Sequence, residues 1–255
     1  MKIEGQAAIV TGGGSGLGAE TARELARRGA KVTVLDVNEA GAKAVAEEIG
    51  GLGLRCDITS AADVEAALAA ATAKHGAARL LMNVAGVGGA KRVVARDGTA
   101  APLDDFRRIV EINLIGTYNV TRLFAAQAAA LAPVGDDGER GVIVCTASVA
   151  AFDGQIGQEA YSASKGGVAA MTLPLARDLA QHGIRVMTIA PGLFMTPMMK
   201  ELPEAAQASL GASVPFPKRL GNPAEFAHLA ASIVENGMLN GEVIRLDGAL
   251  RMAPR

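Results

Sequence analysis

The sequence predicts a single α/β domain in which a doubly wound, seven-stranded parallel sheet is covered by helices on both faces. Short runs rich in Val, Ile and Leu alternate with longer Ala-rich segments of helical periodicity, as in successive strand–helix–strand units. A chain of 255 residues, half of them hydrophobic, is long enough to bury one large core. The sequence 1–255 contains no repeat, low-complexity tract or linker that would divide it into two domains.

Seven segments are predicted to be strands, because each is a short apolar run bounded by turn or helix signals. These are residues 6–10, 31–36, 52–56, 80–83, 141–146, 184–190 and 243–246. The periodic segments predicted to be helices are residues 17–28, 40–49, 61–75, 103–130, 161–181 and 223–234. Strands that alternate with helices in this way favour a parallel sheet with both faces covered.

Three segments interrupt this alternation. Residues 87–102 and 133–140 carry Gly, Asp and charged residues and are predicted to be surface loops. Residues 192–217 combine Leu, Phe, Met and Val with four prolines. Because a long apolar loop at the carboxyl edge of a sheet is a suitable lid, we expect residues 192–217 to cover the substrate.

Composition and charge argue against several classes of function. A net charge of −1 provides no field that would attract nucleic acid or an anionic membrane. The longest apolar runs are far shorter than a membrane span, and the first residues do not resemble an export signal. Cys56 and Cys145 lie in or beside apolar runs, as reduced thiols do, and nothing supports a metal site. We therefore expect a cytoplasmic protein that acts on a small molecule.

The segment 11–18 reads TGGGSGLG and stands between the first predicted strand and the first predicted helix. Gly12, Gly16 and Gly18 allow a tight turn that brings backbone N–H groups to a pyrophosphate at the helix start. Asp36 ends the second predicted strand, where a carboxylate accepts hydrogen bonds from ribose hydroxyls and repels a 2′-phosphate. Residues 13–15 include no Arg or Lys to neutralise such a phosphate, so the sequence predicts NAD rather than NADP.

Tyr161 and Lys165 are four residues apart at the start of a predicted helix, so their side chains share one face. A nearby ammonium favours the phenolate, and we expect Lys165 to lower the pKa of Tyr161 from about 10 towards neutrality. Tyr161 then exchanges a proton with the substrate oxygen, while Ser148, just after the fifth strand, orients that oxygen. The sequence predicts hydride transfer between a nicotinamide and a secondary alcohol or ketone.

Motifs along nearly the whole chain resemble those of the short-chain dehydrogenase/reductase family, which has a Rossmann fold. In order, they are TGGGSGLG, Asp57 after the third strand, NVAG at 83–86, Asn113, Ser148, YSASK at 161–165 and PG from Pro191. The resemblance implies that Asn113 completes a catalytic tetrad by holding a water that relays protons to Lys165. It also implies a homotetramer that packs the helices 103–130 and 161–181 across two-fold axes.

Further cofactor contacts are implied by the same resemblance. Phe194 and Thr196 are expected to reach the nicotinamide carboxamide. Val84 stands where the family usually has a second asparagine, which leaves a backbone contact possible and removes a side-chain one. The remaining cofactor residues are Ser15, Leu17, Asp57, Ile58, Asn83, Gly86, Tyr161, Lys165 and Pro191.

Longer stretches are similar to a narrower group, the type 2 short-chain 3-hydroxyacyl-CoA dehydrogenases, also called 17β-hydroxysteroid dehydrogenase type 10. They are TASVAAFDGQIGQEAYSASKGG, ARDLAQHGIRVMTIAPGLF, VPFPKRLGNPAEFAHL and LNGEVIRLDGALRM. This resemblance implies oxidation of L-3-hydroxyacyl-CoA to 3-oxoacyl-CoA in fatty acid metabolism. Gln155 is a candidate to face the substrate beside Ser148 and Tyr161, and a solvated loop position explains it equally. Lysines and arginines that could bind the CoA phosphates, for which surface solubility is the simpler explanation, are Lys91, Arg92, Lys200, Lys218 and Arg219.

Three alternatives stay open at the level of sequence. A 3-oxoacyl reductase acting on acetoacetyl-CoA or acyl-carrier protein usually needs NADPH, which conflicts with Asp36. A hydroxysteroid dehydrogenase would use the same catalytic residues. A non-catalytic scaffold in RNA processing is a more distant alternative, since no basic stripe with interleaved aromatic residues stands out.

Overall fold

The computed structural model of the protein describes residues 1–254, apart from the side chain of Met198. These residues contain one sheet of seven strands, and every neighbouring pair of strands is parallel. The strands are β1 (Ala7–Thr11), β2 (Lys31–Asp36), β3 (Leu52–Arg55), β4 (Leu80–Asn83), β5 (Gly141–Thr146), β6 (Ile184–Pro191) and β7 (Val243–Leu246). Their order β3-β2-β1-β4-β5-β6-β7 confirms the predicted doubly wound sheet.

Helices connect the strands and cover both faces of the sheet. They are α1 (Gly16–Arg27), α2 (Glu39–Glu48), α3 (Ala61–His75), α4 (Leu103–Val110), α5 (Thr117–Ala129), α6 (Glu159–Leu179), α7 (Pro197–Lys200), α8 (Glu204–Ala212) and α9 (Pro223–Glu235). A π-helical segment, Glu111–Gly116, joins α4 to α5. Short 3₁₀ turns lie at Val149–Ala151 and Ala180–His182.

Two apolar layers, one on each face of the sheet, hold the helices in place. Along β1 the side chains alternate between them: Ile9 belongs to the same layer as Phe124 of α5, whereas Val10 belongs to the layer of Leu25 of α1 and Phe226 of α9. Burying a side chain of this size contributes about 1.5–3 kcal/mol. The alternation therefore fixes which face of the sheet each helix covers.

The order of the strands creates a switch point between β1 and β4. From β1 the chain winds outward through β2 to β3, and then continues on the other side of β1 with β4. The register pairs Thr11 with Asn83, so the carboxyl ends of β1 and β4 lie side by side. In sheets of this type, ligands bind beyond the carboxyl ends of the strands at the switch point.

Two of the predicted segments differ from the structure. The helix predicted over residues 103–130 is interrupted by the π-helical segment, which inserts a wider turn at Asn113. The segment predicted as a loop over 192–217 contains the helices α7 and α8. The loops predicted at 87–102 and 133–140 contain only isolated bridges, Val94 to Ala100 and Val134 to Glu139.

Both cysteines lie in the interior of the protein. Cys56 and Cys145 are free thiols, each about 1% exposed. Burial raises the pKa of both thiols to about 11. Over residues 1–254, no helix has the length and apolar character needed to cross a membrane, and no group of three or more His, Cys, Asp or Glu could hold a metal ion.

Candidate active site

The glycine turn after β1 has no room for side chains. A Cβ atom added to Gly12 would lie 2.6 Å from Ala85 Cα, and one added to Gly18 would overlap the carbonyl oxygen of Gly12. Gly12 and Gly16 have positive φ angles of 63° and 53°. The turn therefore lets a ligand approach the backbone closely, as the pyrophosphate of a dinucleotide requires.

Helix α1 begins directly after this turn and presents free N–H groups. Its N-cap residue, Ser15, is exposed and makes no side-chain capping hydrogen bond, and the first turn contains no acidic residue. The positive end of the helix dipole is thus available to an anion. Thr196 lies opposite: its Cγ2 would be 3.9 Å from a Cβ on Gly16.

Asp36 lies at the carboxyl end of β2 and is oriented by the backbone. Its Oδ2 accepts a hydrogen bond from the Gly14 N–H (3.0 Å), and its Oδ1 accepts one from the Asn38 N–H (2.9 Å). Each carboxylate oxygen has more than one acceptor position, so both can still accept from a ribose. A Cβ on Gly14 would lie 2.9 Å from Oδ2, so the glycine is required for this arrangement.

Residues predicted for the adenosine side follow β3 and β4. Asp57 is partly buried and its Oδ1 accepts from the N–H and hydroxyl of Thr59 (2.9 and 2.8 Å). Ile58 is buried, and its carbonyl accepts from Asn119 Nδ2 (2.8 Å). The backbone N–H of Val84 donates to Thr11 Oγ1 (3.1 Å), which links the ends of β1 and β4.

Tyr161 lies in the first turn of α6 beside Ser148, which follows β5. Burial raises the pKa of Tyr161, and the nearby Ser148 hydroxyl has a smaller effect that lowers it. The expectation that Lys165 brings this pKa towards neutrality is therefore wrong for the protein groups alone. Ser148 itself is 8% exposed and accepts from the Ala150 N–H (3.1 Å).

Lys165 is buried one turn further along α6. Its Nζ lies 6.0 Å from the centre of the Tyr161 ring and donates to the carbonyl of Thr146 (2.8 Å). Burial lowers the pKa of Lys165 to about 8, so the ammonium form predominates at neutral pH. The structure thus brings together the phenol, the hydroxyl and the ammonium that the sequence predicted.

Asn113 lies in the π-helical segment and is fully buried. Its Oδ1 accepts from the Val87 N–H (2.8 Å), while its Nδ2 donates to the Val87 carbonyl (2.9 Å) and to Ser164 Oγ (3.0 Å). A Cβ on Gly86 would lie 3.1 Å from Asn113 Oδ1 and 3.3 Å from Lys165 Nζ. Asn113 and Lys165 therefore meet at Gly86.

Comparison with known proteins identifies the family to which a chain with this fold and site belongs. Residues 6–207 match the sequence model of a family described as short chain dehydrogenase. The human protein named 3-hydroxyacyl-CoA dehydrogenase type-2 is 51% identical over 255 residues, which cover 99% of this chain and 97% of the human protein. The chain belongs to the short-chain dehydrogenase family. This dehydrogenase is therefore an oxidoreductase that works with a nicotinamide cofactor.

Two solved structures are similar to the dehydrogenase over nearly its whole length. The crystal structure of 3-hydroxyacyl-CoA dehydrogenase type-2 from Mycobacterium avium has a TM-score of 0.92 and 46% identity, and the match covers 98% of each chain. The 3-ketoacyl-(acyl-carrier-protein) reductase from Brucella melitensis, complexed with NADH, has a TM-score of 0.85 and 33% identity. The match covers 98% of the dehydrogenase and 100% of the reductase chain.

Two of the predicted cofactor residues, Asn83 and Phe194, have side chains that point into the protein interior and not towards the carboxyl edge of the sheet. The Asn83 side chain lies in the interior, where its Nδ2 donates to Thr121 Oγ1 (3.0 Å), so it supports the end of β4. Phe194 is 6% exposed and packs edge-on against Phe226, with ring centres 6.5 Å apart. Backbone groups are therefore what Asn83 and Phe194 can offer a cofactor. Pro191 is buried at the end of β6, and Leu17 is partly buried in the first turn of α1.

The side chain of Gln155 hydrogen-bonds with the C-terminal segment of the described chain. Its Nε2 donates to the carbonyl of Ala253 (2.9 Å), and the neighbouring Ile156 N–H donates to the carbonyl of Pro254 (3.0 Å). The Gln155 side-chain amide thus contacts Ala253, and a substrate contact by Gln155 stays a prediction.

Ion pairs engage two of the five cations predicted for CoA phosphates. Lys91 pairs with Asp105, and Arg219 forms two hydrogen bonds with Glu225. Arg92, Lys200 and Lys218 are exposed. A role for any of the five in phosphate binding stays a prediction.

The sequence analysis did not predict three hydrogen-bonding groups of the site. They are the hydroxyl of Thr11, the carbonyl of Thr146 that binds Lys165, and the hydroxyl of Ser164 that binds Asn113. Ser164 lies inside the YSASK motif, but only the contact with another helix distinguishes it from Ser162. The Thr146 carbonyl leaves no trace in a sequence, because every residue has one.

Proposed function

We propose that the protein oxidises L-3-hydroxyacyl-CoA to 3-oxoacyl-CoA with NAD. The observation that supports this most is the joined site of Ser148, Tyr161, Lys165 and Asn113 in a chain 51% identical to the human type-2 3-hydroxyacyl-CoA dehydrogenase. Residues 192–217 add apolar side chains near the carboxyl edge, including Leu193 and Met195, which are partly buried. An apolar lining favours an acyl chain over a sugar.

Four side chains would each have a separate role in the reaction. Tyr161 Oη takes the proton from the substrate hydroxyl, and Ser148 holds the substrate oxygen by a hydrogen bond. Because this transfer converts a phenolate into a phenol, Lys165 would act by stabilising the phenolate that precedes the transfer, and Asn113 would maintain the path by which the proton then leaves Tyr161. Bound dinucleotide supplies the hydride acceptor, and its oxidised ring carries a positive charge that favours the phenolate. The glycine turn, the start of α1 and Asp36 would hold the dinucleotide.

The preference for NAD over NADP depends on Asp36. Its carboxylate would repel a 2′-phosphate, and residues 13–15 provide no cation to offset the repulsion. We expect a higher kcat/KM with NAD than with NADP for the wild-type protein. Asp36→Asn should reduce this ratio, with Asp136→Asn, at an exposed position of the loop 133–140, as the control; a wild-type preference for NADP would contradict the role of Asp36.

A substrate panel tests the proposed reaction. NADH consumption is measured with acetoacetyl-CoA and longer 3-oxoacyl-CoA thioesters, with acetoacetate esters and with a ketosteroid. We expect a kcat/KM at least about tenfold higher for the thioesters, because only they offer phosphates to surface cations. Equal values for esters or steroid would point to a broader alcohol dehydrogenase.

A reductase of 3-oxoacyl groups is the second candidate function. The NADH-complexed reductase from Brucella melitensis is 33% identical to this chain and supports it. Activity with a 3-oxoacyl group on acyl-carrier protein that exceeds activity with the CoA thioester would favour the reductase. Salt-dependent RNA binding without activity would instead favour the scaffold.

The assembly and the location are further parts of the proposal. We infer a homotetramer from exposed apolar side chains on the two long helical runs, among them Ile115, Tyr118 and Leu173, each more than 40% exposed. Large apolar side chains on a helix surface are suited to burial between subunits. A cytoplasmic location is proposed from the two free thiols and is tested by fractionating cells.

A further inference from the structure

One hydroxyl joins the two helices that carry the proposed catalytic residues. Ser164 is fully buried on α6, directly before Lys165. Its Oγ donates to the carbonyl of Tyr161 (2.8 Å) and accepts from Asn113 Nδ2 (3.0 Å). The hydrogen bonds of Ser164 thus connect a residue of the π-helical segment with the backbone of Tyr161, the proposed proton-transfer residue.

This contact fixes the orientation of the Asn113 carboxamide. The Ser164 proton is committed to a carbonyl, so its oxygen faces Asn113 as an acceptor and requires the amide nitrogen there. Val87 imposes the same orientation, because its N–H faces Asn113 Oδ1 and its carbonyl faces Nδ2. In a flipped amide the nitrogen would face the Val87 N–H, and the oxygen would face the Val87 carbonyl and Ser164 Oγ, which a buried site strongly disfavours.

We propose that Ser164 is a positioning residue of the catalytic centre, which acts by holding Asn113 and Val87 in place beside Lys165. This rests on the proposed function, because the effect on turnover passes through Tyr161 and Lys165. Without the hydroxyl, Asn113 keeps a buried N–H that lacks its acceptor, and the segment at Gly86 loses one of its supports. Displacements of about 1 Å in such groups reduce turnover up to about a hundredfold.

The neighbouring Ser162 provides a matched control. It lies on the same turn of α6, and among the described residues its buried Oγ has no hydrogen-bond partner. Replacement by alanine removes the same atom at both positions. Only at Ser164 does that removal affect a hydrogen bond to the π-helical segment.

The experiment compares Ser164→Ala with Ser162→Ala in the full chain. We expect kcat for acetoacetyl-CoA reduction to fall roughly tenfold or more in Ser164→Ala while KM for NADH changes less than about twofold, and Ser162→Ala to match the wild type. In an Asn113→Ala background, Ser164→Ala should change kcat by less than about twofold, because the two residues act as a unit. Equal losses in both backgrounds, or equal effects of the two serine variants, overturn the inference.

A second measurement does not depend on turnover. The Val87 amide should exchange its hydrogen about tenfold faster in Ser164→Ala than in Ser162→Ala, because Asn113 Oδ1 no longer protects it steadily. Unchanged protection overturns the inference even if the wild type proves inactive on 3-oxoacyl-CoA, which would reject the proposed function instead. If Ser164→Ala does not fold, Ser164→Cys keeps a similar size with a weak acceptor and replaces it in both measurements.

Discussion

The two tyrosines of the chain occupy opposite environments. Tyr161 is partly buried beside Ser148, whereas Tyr118 is 49% exposed on α5. Replacing Tyr161 with phenylalanine should lower kcat at least about a hundredfold, because proton transfer by a side chain contributes 10²–10⁴-fold. Steady-state kinetics and circular dichroism check this, and Tyr118→Phe is the control. An active Tyr161→Phe variant would remove the proposed mechanism.

The low pKa of Lys165 predicts a pH dependence for ketone reduction. Burial places this pKa at about 8, so the ammonium is present below pH 8 and is lost as the pH rises. The pKa of Tyr161 is raised by burial, so the phenol stays protonated over this range. We expect kcat/KM for reduction to be constant below pH 8 and to fall about tenfold per pH unit above it. A flat profile to pH 10, with the fold intact by circular dichroism, would contradict this.

At the residue scale the sequence predicted groups whose chemistry is specific. A phenol and an ammonium at a spacing of four share a helix face, and the structure places Tyr161 and Lys165 accordingly. The sequence could not tell that Asn83 and Phe194 turn their side chains inward, because both lie at strand or turn ends where either direction is possible. Nor could it predict the pKa of Tyr161, which depends on how completely the fold buries it.

At the scale of elements, the turn after β4 packs tightly against α6 and the π-helical segment. A Cβ on Gly86 would lie 3.1 Å from Asn113 Oδ1 and 3.3 Å from Lys165 Nζ, so Gly86→Ala must displace one of them. We expect kcat to fall about tenfold or more while the melting temperature changes little. Gly88→Ala is the control, because nothing lies within 4 Å of its Cβ position. Equal activity of the two variants would show that the contact is tolerated.

Strands were easier to predict than the helices around the site. Each buried strand is a short apolar run, and bounds such as those of β2, β4, β5 and β7 agree with the predicted ones. The π-helical segment was missed because one wide turn hardly changes the apolar periodicity of residues 103–130. Helices α7 and α8 were missed because the prolines of 192–217 indicate a loop, whereas Pro197 begins a helix at a permitted position.

The whole molecule presents apolar side chains along the helical runs α4–α5 and α6. We expect Ile115→Asp to dissociate the proposed tetramer, because a carboxylate buried between subunits without a partner is costly. Light scattering after size-exclusion chromatography measures the mass. Val94→Asp, at a side chain 56% exposed outside these helices, is the control. A wild-type monomer, or an unchanged mass for Ile115→Asp, would contradict the proposed packing.

Because Cys56 and Cys145 are buried, the rate at which their thiols are alkylated reports how often the folded structure opens. With a thiol pKa of about 11, roughly one molecule in ten thousand carries a thiolate at pH 7, and neither sulfur is accessible in the folded state. A maleimide therefore modifies either cysteine only when the structure around it opens to solvent. The rate of labelling then follows the unfolding equilibrium of the protein, in the presence or absence of any candidate ligand.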